Sequence, residues 1–266
     1  MLARTSLITS SATQSRQIKI AVCLNGETLF DTRAHALAAE LGLPLTADPG
    51  DQYDLAFSYD AQGLALKDRR ARQRPMRVDF ARQLGTRPGT GLTRRDPLGR
   101  AVGRTVRTLV DATAGLCADA VRFACFGLSV LAIERVAVIY ALSRDALERA
   151  SDTPRIGDRI SRLRLTFGDA NDLLPTLESA PDAIYIDPMF PPKRRRSAAT
   201  RKELVLLREL AGADMDAEGL LARARDIAME RVIVKRPDDQ PPLAPEPTVS
   251  YGGKLVRYDV YRTDLR

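Results

Sequence analysis

Thr108–Leu116 reads TLVDATAGL, and here the chain changes its rhythm. A short apolar run ends on a carboxylate, Asp111. A loop of small residues, Ala112 to Gly115, then leads toward a helical pattern. Small residues let the backbone approach a ligand closely. The loop lacks the further glycines and the Lys-Ser/Thr of a phosphate-binding loop, so taken alone it reads equally well as a tight structural turn.

Working outward toward the C-terminus, strand and helix patterns alternate. A helix runs to about Phe126, LSVLAI is a strand, and Val136 to Ala150 is a helix. LRLTF (163–167) and AIYID (183–187) are strands. Leu204 to Leu210 and about Ala217 to Ala228 are helical, and RVIVK (231–235) is a strand. The tail TVSYGGKLVRYDVYRT reads as two strands joined at Gly252-Gly253. Such alternation predicts an α/β fold with a mostly parallel, doubly wound sheet of seven strands. The terminal hairpin places one antiparallel strand at or near its edge.

Toward the N-terminus, IKIAVCL (18–24) reads as a strand and Asp31 to Leu41 as a helix stopped by Gly42. YDLAFSY and GLALKD form a hairpin around Asp60-Ala61-Gln62. We expect a small α+β unit over 1–75, a basic connector with some helix near its end over 76–107, and the sheet domain over 108–266.

Hydrophobic residues make up 44% of the 266, enough for a sizeable core, and the net charge is +7. The charge is concentrated. Lys67 to Arg107 holds 13 Lys/Arg against 3 Asp/Glu, a net of +10, which leaves −3 for the rest. A local excess of this kind points to an anionic partner, nucleic acid first. The three cysteines fit neither a disulfide framework nor a zinc pattern, and a reducing cytoplasm is the simplest setting. With His35 as the sole histidine, His-rich metal sites and Ser-His-Asp triads are improbable, and no metal is expected. The N-terminus lacks the apolar core of a signal peptide, and Glu134-Arg135 interrupts the apolar run from Phe123, so no membrane association is expected.

In doubly wound sheets, ligands bind beyond the carboxyl ends of the strands. Those ends are Asp111, Glu134, Gly168-Asp169, Asp187 and Lys235. Glu134, 23 residues after Asp111, stands where such folds hydrogen-bond ribose hydroxyls. Asp169 suits an adenine amino group, although both acids also read as N-caps or turn residues. Asp187-Pro188-Met189-Phe190 is an [Asp/Asn]-Pro-x-aromatic group at a strand end. Enzymes that methylate exocyclic base amines use such a group. The carboxylate and the Pro188 carbonyl accept the amine N–H bonds, making the nitrogen more pyramidal and nucleophilic, and Phe190 stacks on the base. Positioning of this kind removes roughly 7–11 kcal/mol of barrier. A rim of carboxylates also suits a sulfonium better than a pyrophosphate, which favours S-adenosylmethionine over NAD.

VDATAGL, IER, IYIDPMFP, VIVKRP and YDVY together resemble the 16S rRNA (guanine-1516-N2)-methyltransferase family, methyltransferase J of the small ribosomal subunit. The resemblance is strong from Leu109 to Tyr261 and collinear before that, through LALKD and RVDF. It implies a Rossmann-like class I methyltransferase that uses S-adenosylmethionine on one guanine N2. By position it implies Ala118-Asp119, Glu134-Arg135, Asp169-Ala170 and Asp187 as cofactor residues; the strand-end reading adds Asp111 and Gly115. Four segments depart from the family pattern. Cys117-Ala118-Asp119 replaces Gly-Arg-Asp, Val136 replaces Asn, Asp169-Ala170 replaces two serines, and TRRDPLGR replaces a Gly-rich segment. The cysteine implies crowding at the methionine end of the cofactor.

The expected function is therefore guanine-N2 methylation of 16S rRNA, free or in the small ribosomal subunit. Asp187, Pro188 and Phe190 would be catalytic. Lys193, Arg194, Arg195, Arg196, Arg201, Lys202, Lys235 and Arg236 would contact RNA, with Lys67–Arg107 holding further phosphates. The alternatives are an amino-methyltransferase for another RNA or DNA base, and an RNA-binding or assembly protein with little use of the cofactor.

Overall fold

The chain folds as two units, Met1–Arg77 and Val78–Arg266, in the computed structural model. The structure describes residues 18–72, 74–80, 95–153, 156–189, 202–212, 216–253 and 255–263.

In the first unit, strands β1 (Ile20–Cys23), β2 (Leu45–Thr46), β3 (Leu55–Asp60) and β4 (Gly63–Asp68) form a sheet in the order β2-β1-β3-β4. The β3–β4 pair is antiparallel and β1 is parallel to both of its neighbours. The helix Thr28–Leu41 turns Ala34, Leu37 and Ala38 inward, and Gly42 ends it at φ 63°, a left-handed conformation that glycine adopts without a Cβ clash. This helix begins three residues before Asp31 because Asp31 Oδ1 accepts the N–H groups of Asn25 and Gly26, capping the entry from inside the first turn.

The second unit is built on β5 (Thr108–Asp111), β6 (Ser129–Glu134), β7 (Leu163–Phe167), β8 (Ala183–Ile186), β9 (Arg231–Pro237), β10 (Val249–Gly252) and β11 (Val256–Arg262). Their order is β10-β11-β9-β8-β5-β6-β7. Pairs from β9 through β7 are parallel, and β11 runs antiparallel to both β9 and β10. The chain moves outward from β5 to β6 and β7, then returns on the other side of β5 with β8. The order thus reverses between β5 and β8, which is where such sheets open a crevice.

All four residues of β8 are buried, because helices cover both faces. On one face Ile184 and Ile186 join Val110, Val232 and Val234 beneath Leu220, Leu221 and Ala224 of the helix Ala217–Ile227. Tyr185 points the other way and meets Phe123 of the helix Ala118–Cys125 edge-on, with ring centroids 4.9 Å apart. Within the expected connector, Asp96-Pro97 opens the helix Pro97–Val102, with Pro at a first-turn position where its missing N–H costs nothing. That helix packs on β10 and β11 and buries Leu98, Ala101 and Val102.

Candidate active site

The small-residue loop after β5 ties three strands together. Ala112 N–H donates to the Tyr185 carbonyl on β8 at 2.9 Å, and Ala114 N–H to the Ile133 carbonyl on β6 at 3.0 Å. Thr113 Oγ1 accepts the Asp187 N–H at 2.7 Å, and Ser143 Oγ donates to the Gly115 carbonyl at 3.0 Å. Ala112 and Ala114 are both buried, so larger side chains would force the loop off the sheet. Gly115 has φ 54°. Cys117 is also left-handed, at φ 56° and ψ 19°, with a fully buried side chain. Burial, followed by the charges of Asp111 and Glu134, pushes the Cys117 thiol up, so it stays protonated and inert.

This loop forms one wall of a cleft of about 620 Å³, counting the solvent at its mouth. Glu134 closes β6 and is 6% exposed. Its Oε2 accepts the Gly115 N–H at 2.7 Å and its Oε1 the Val136 N–H at 2.6 Å. Asp169 caps the next turn, accepting the Asn171 N–H at 2.8 Å. Arg135 Nη1 lies 3.4 Å from Asp169 Oδ2 and 3.0 Å from Asp216 Oδ2, and Asn171 Nδ2 donates to Asp216 at 3.0 Å. Asp216 precedes the Ala217–Ile227 helix, so these bonds join the β6 and β7 ends to that helix.

Among the expected cofactor residues, Gly115, Glu134, Arg135, Asp169, Ala170 and Asp187 line the cleft, as does Pro188. Asp111, Ala118 and Asp119 do not. Asp111 is 1% exposed and accepts the Thr113 N–H. Burial, with Asp119 and Asp187 beside it, pushes its carboxyl well above the usual carboxylate range. Ala118 is exposed at a helix start. Cys117 does not line the cleft either, so the crowding expected from its replacement of glycine has no counterpart in the lining. Thr113, Asn171, Asp216, Ala217 and Leu220 do line it and were not anticipated. Asp169 followed by Asn171 carries a capping signal that could have pointed to Asn171. Asp216 arrives only through the tertiary fold.

Asp187 stands just past β8 and takes part in a second cluster. Lys235 Nζ, on β9, is 2.8 Å from Asp187 Oδ2 and 2.9 Å from Asp119 Oδ2. The Tyr185 hydroxyl donates to the same Asp119 oxygen at 2.7 Å, and Arg122 donates to Asp119 Oδ1 at 2.8 Å. Burial acts to raise Asp119, but Lys235, Tyr185 and Arg122 outweigh it and hold the carboxyl below its usual value. Burial acts to lower Lys235, and the charges of Asp187 and Asp119 outweigh that and hold the ammonium above the usual lysine range. Lys235, expected at the RNA rim, is thus committed to two carboxylates. Arg236 is 6% exposed with Nε on the Pro241 carbonyl, so its side chain is part of the packing and does not face a phosphate from solvent. Phe190, Lys193, Arg194, Arg195, Arg196 and Arg201 lie outside the described residues. Lys202 opens the helix Lys202–Ala211, with its side chain outside them.

The cleft offers acceptors of the kind a nucleoside and a sulfonium need. Glu134 and Asp169 suit hydroxyl and amino donors, and among the described residues the lining carries Arg135 but no cluster of cations of the kind a pyrophosphate requires. These residues fit S-adenosylmethionine. Among the described residues, no group of three or more His, Cys, Asp or Glu side chains is arranged to hold a metal ion, and no helix is long and apolar enough to cross a membrane.

Comparison with known proteins agrees with this geometry. The family described as "Putative SAM-dependent methyltransferase" matches residues 36–263. The ribosomal RNA small subunit methyltransferase J of Chromohalobacter salexigens is 41% identical over 254 residues, covering 91% of this chain and 96% of that protein. The protein of the same name from Thioalkalivibrio sulfidiphilus is 41% identical, covering 87% and 93%. Among solved structures, a SAM-dependent methyltransferase from Neisseria gonorrhoeae superimposes with a TM-score of 0.67 at 26% identity, covering 92% of this chain and 96% of that one. The chain belongs to the S-adenosylmethionine-dependent methyltransferase family of the ribosomal RNA small subunit methyltransferase J proteins.

Proposed function

We propose that this protein methylates the exocyclic N2 of a guanine in small-subunit ribosomal RNA. The observation that carries the reading is the placement of Asp187-Pro188 at the end of β8, in one cleft with Glu134 and Asp169 and next to the strand-order reversal. Glu134, Asp169 and Ala170 would hold the cofactor, and Gly115 would let the backbone come close to it. When bound, S-adenosylmethionine supplies an electrophilic methyl carbon whose leaving thioether is neutral. The Asp187 carboxylate and the Pro188 carbonyl would accept the guanine N2–H bonds and turn the nitrogen toward that carbon. Positive charge developing on the nitrogen would lie beside the Asp187 carboxylate, which stabilises it. The base must leave its stack to reach this point, at a cost of a few kcal/mol, and Phe190 would stack on it.

Phosphate contacts would come from the basic stretches. On the small unit, Lys67, Arg69, Arg70, Arg72 and Arg74 line a surface hollow. Such contacts give affinity that falls steeply with salt and cannot choose the base. The three cysteines are thiols, in keeping with a cytoplasmic setting.

The test is incubation with labelled S-adenosylmethionine and under-methylated 16S rRNA or small subunits, followed by nucleoside analysis. Label in N2-methylguanosine is expected. No label in guanine N2 at any salt concentration overturns the proposal. Label in another nucleoside assigns the fold a different base, and absence of cofactor binding by calorimetry favours an RNA-binding or assembly protein.

A further inference from the structure

We propose that Lys235 is a positioning residue for methyl transfer, its ammonium setting the orientation and charge state of Asp187. The inference rests on the reading of Asp187 as the acceptor of the target amine. The sheet itself makes the contact. β8 and β9 are parallel with Ile186 opposite Val234, so one further step brings Asp187 opposite Lys235. The pleat sends both side chains to the face that carries Tyr185. On that face the register sets Asp111 beside Tyr185, and the Ala118–Cys125 helix adds Asp119 and Arg122.

Three carboxyl groups, those of Asp111, Asp119 and Asp187, therefore converge from β5, a helix and the β8 end, with Tyr185, Tyr258 and, beside Asp111, Cys117 as their titratable neighbours. Arg122 reaches Asp119 on its Oδ1 side. Lys235 is the cation placed between Asp119 and Asp187, at 2.9 and 2.8 Å. Its side chain is only 24% exposed. A phosphate could take this ammonium only by displacing two carboxylates, which argues against the RNA-rim role suggested by the sequence. An ammonium between like charges does two things at once. It offsets their repulsion, and it directs one oxygen of Asp187 toward β9, which fixes the plane of the carboxylate.

The experiment compares the full-length protein with Lys235→Met and Lys235→Arg. Aspartate labelled with 13C at the carboxyl carbon reports the Asp187 titration, assigned through Asp187→Asn. In Lys235→Met the Asp187 midpoint should rise by about one unit or more, as expected when a neighbouring opposite charge is lost. Lys235→Arg should restore it. In methyl transfer, kcat should fall about 10–100-fold with KM for rRNA changed less than about threefold, and the acid limb of kcat should move up in pH with the midpoint. An unmoved midpoint overturns the proposal. So does a moved midpoint with an unchanged kcat, or a loss confined to KM with a shallower salt dependence, which is the signature of a phosphate contact. The titration needs neither cofactor nor RNA. It decides the coupling even if no methyl group is transferred, an outcome that would sink the methyltransferase reading instead. If Lys235→Met does not fold, Lys235→Gln carries the same test.

Discussion

Two carboxylates stand at the ends of the strands that flank β5, and the protein holds them by different means. Glu134, on β6, is buried and gripped by two backbone N–H groups, from Gly115 and Val136. Asp187, past β8, has a side chain 37% exposed and is gripped by a lysine ammonium. Backbone donors are part of the fold. They do not titrate, salt does not screen them away, and they move only if the loop moves. An ammonium can be drawn off, reoriented or neutralised. The first arrangement suits an acceptor that must present the same face to every cofactor molecule. The second suits an acceptor whose charge matters during the chemical step.

The largest effect should come from breaking the Asp187 side of this comparison. On the proposed role of Asp187 as acceptor of the target amine, Asp187→Ala should lower single-turnover methyl transfer by about 10²–10³-fold. Cofactor affinity by calorimetry should change little, because Glu134 and the loop are untouched. A variant that transfers the methyl group at the wild-type rate would make Asp187 a turn residue.

Breaking the Glu134 side should give a smaller and different loss. Glu134→Gln keeps one acceptor oxygen but turns an amide N–H₂ toward a backbone N–H that had an oxygen partner. Cofactor affinity should weaken about 10–100-fold, and unfolding stability should fall by about 1–3 kcal/mol, the usual cost of leaving a buried donor unsatisfied. Denaturant melts with and without cofactor measure both. A loss of transfer rate with intact affinity would reverse the two roles.

The same contrast explains what could be read from the chain alone. The seven strands were legible because most are short apolar runs bounded by turn residues, the edge strands β7 and β10 being no more than half-buried, and four of the five parallel strand ends read from the sequence carry acids. The two-residue β2 and the four-residue helices Gly157–Ile160 and Ala170–Leu173 were not, because they are too short for any period to show. Glu134 and Asp187 could be picked out, but not how each is held, since the loop donors and Lys235 meet them only across the folded sheet. The contacts of Lys235 and Arg236 were out of reach for a related reason. Counting charge cannot separate a surface cation from one that neutralises buried acids or packs against a carbonyl, and both kinds sit in VIVKRP.

The smallest expected effect concerns the loop that supplies the Gly115 donor to Glu134. Cys117 holds a left-handed φ of 56°, a conformation that costs an L-residue with a Cβ roughly 1–2 kcal/mol. Cys117→Gly relieves that strain while emptying a fully buried site, and the two changes nearly cancel. Stability should stay within about 0.5 kcal/mol of wild type. Ala120, three residues on, is equally buried but helical. Ala120→Gly removes fewer atoms, yet it should cost about 1–2 kcal/mol, since helix propensity and the buried methyl both count against it. Cys117→Gly should also leave cofactor affinity within about threefold, because Cys117 does not line the cleft and the backbone it releases already has the conformation that presents the Gly115 N–H. If affinity rises tenfold, the cysteine does crowd the cofactor, and the backbone grip on Glu134 is less rigid than its two short hydrogen bonds imply.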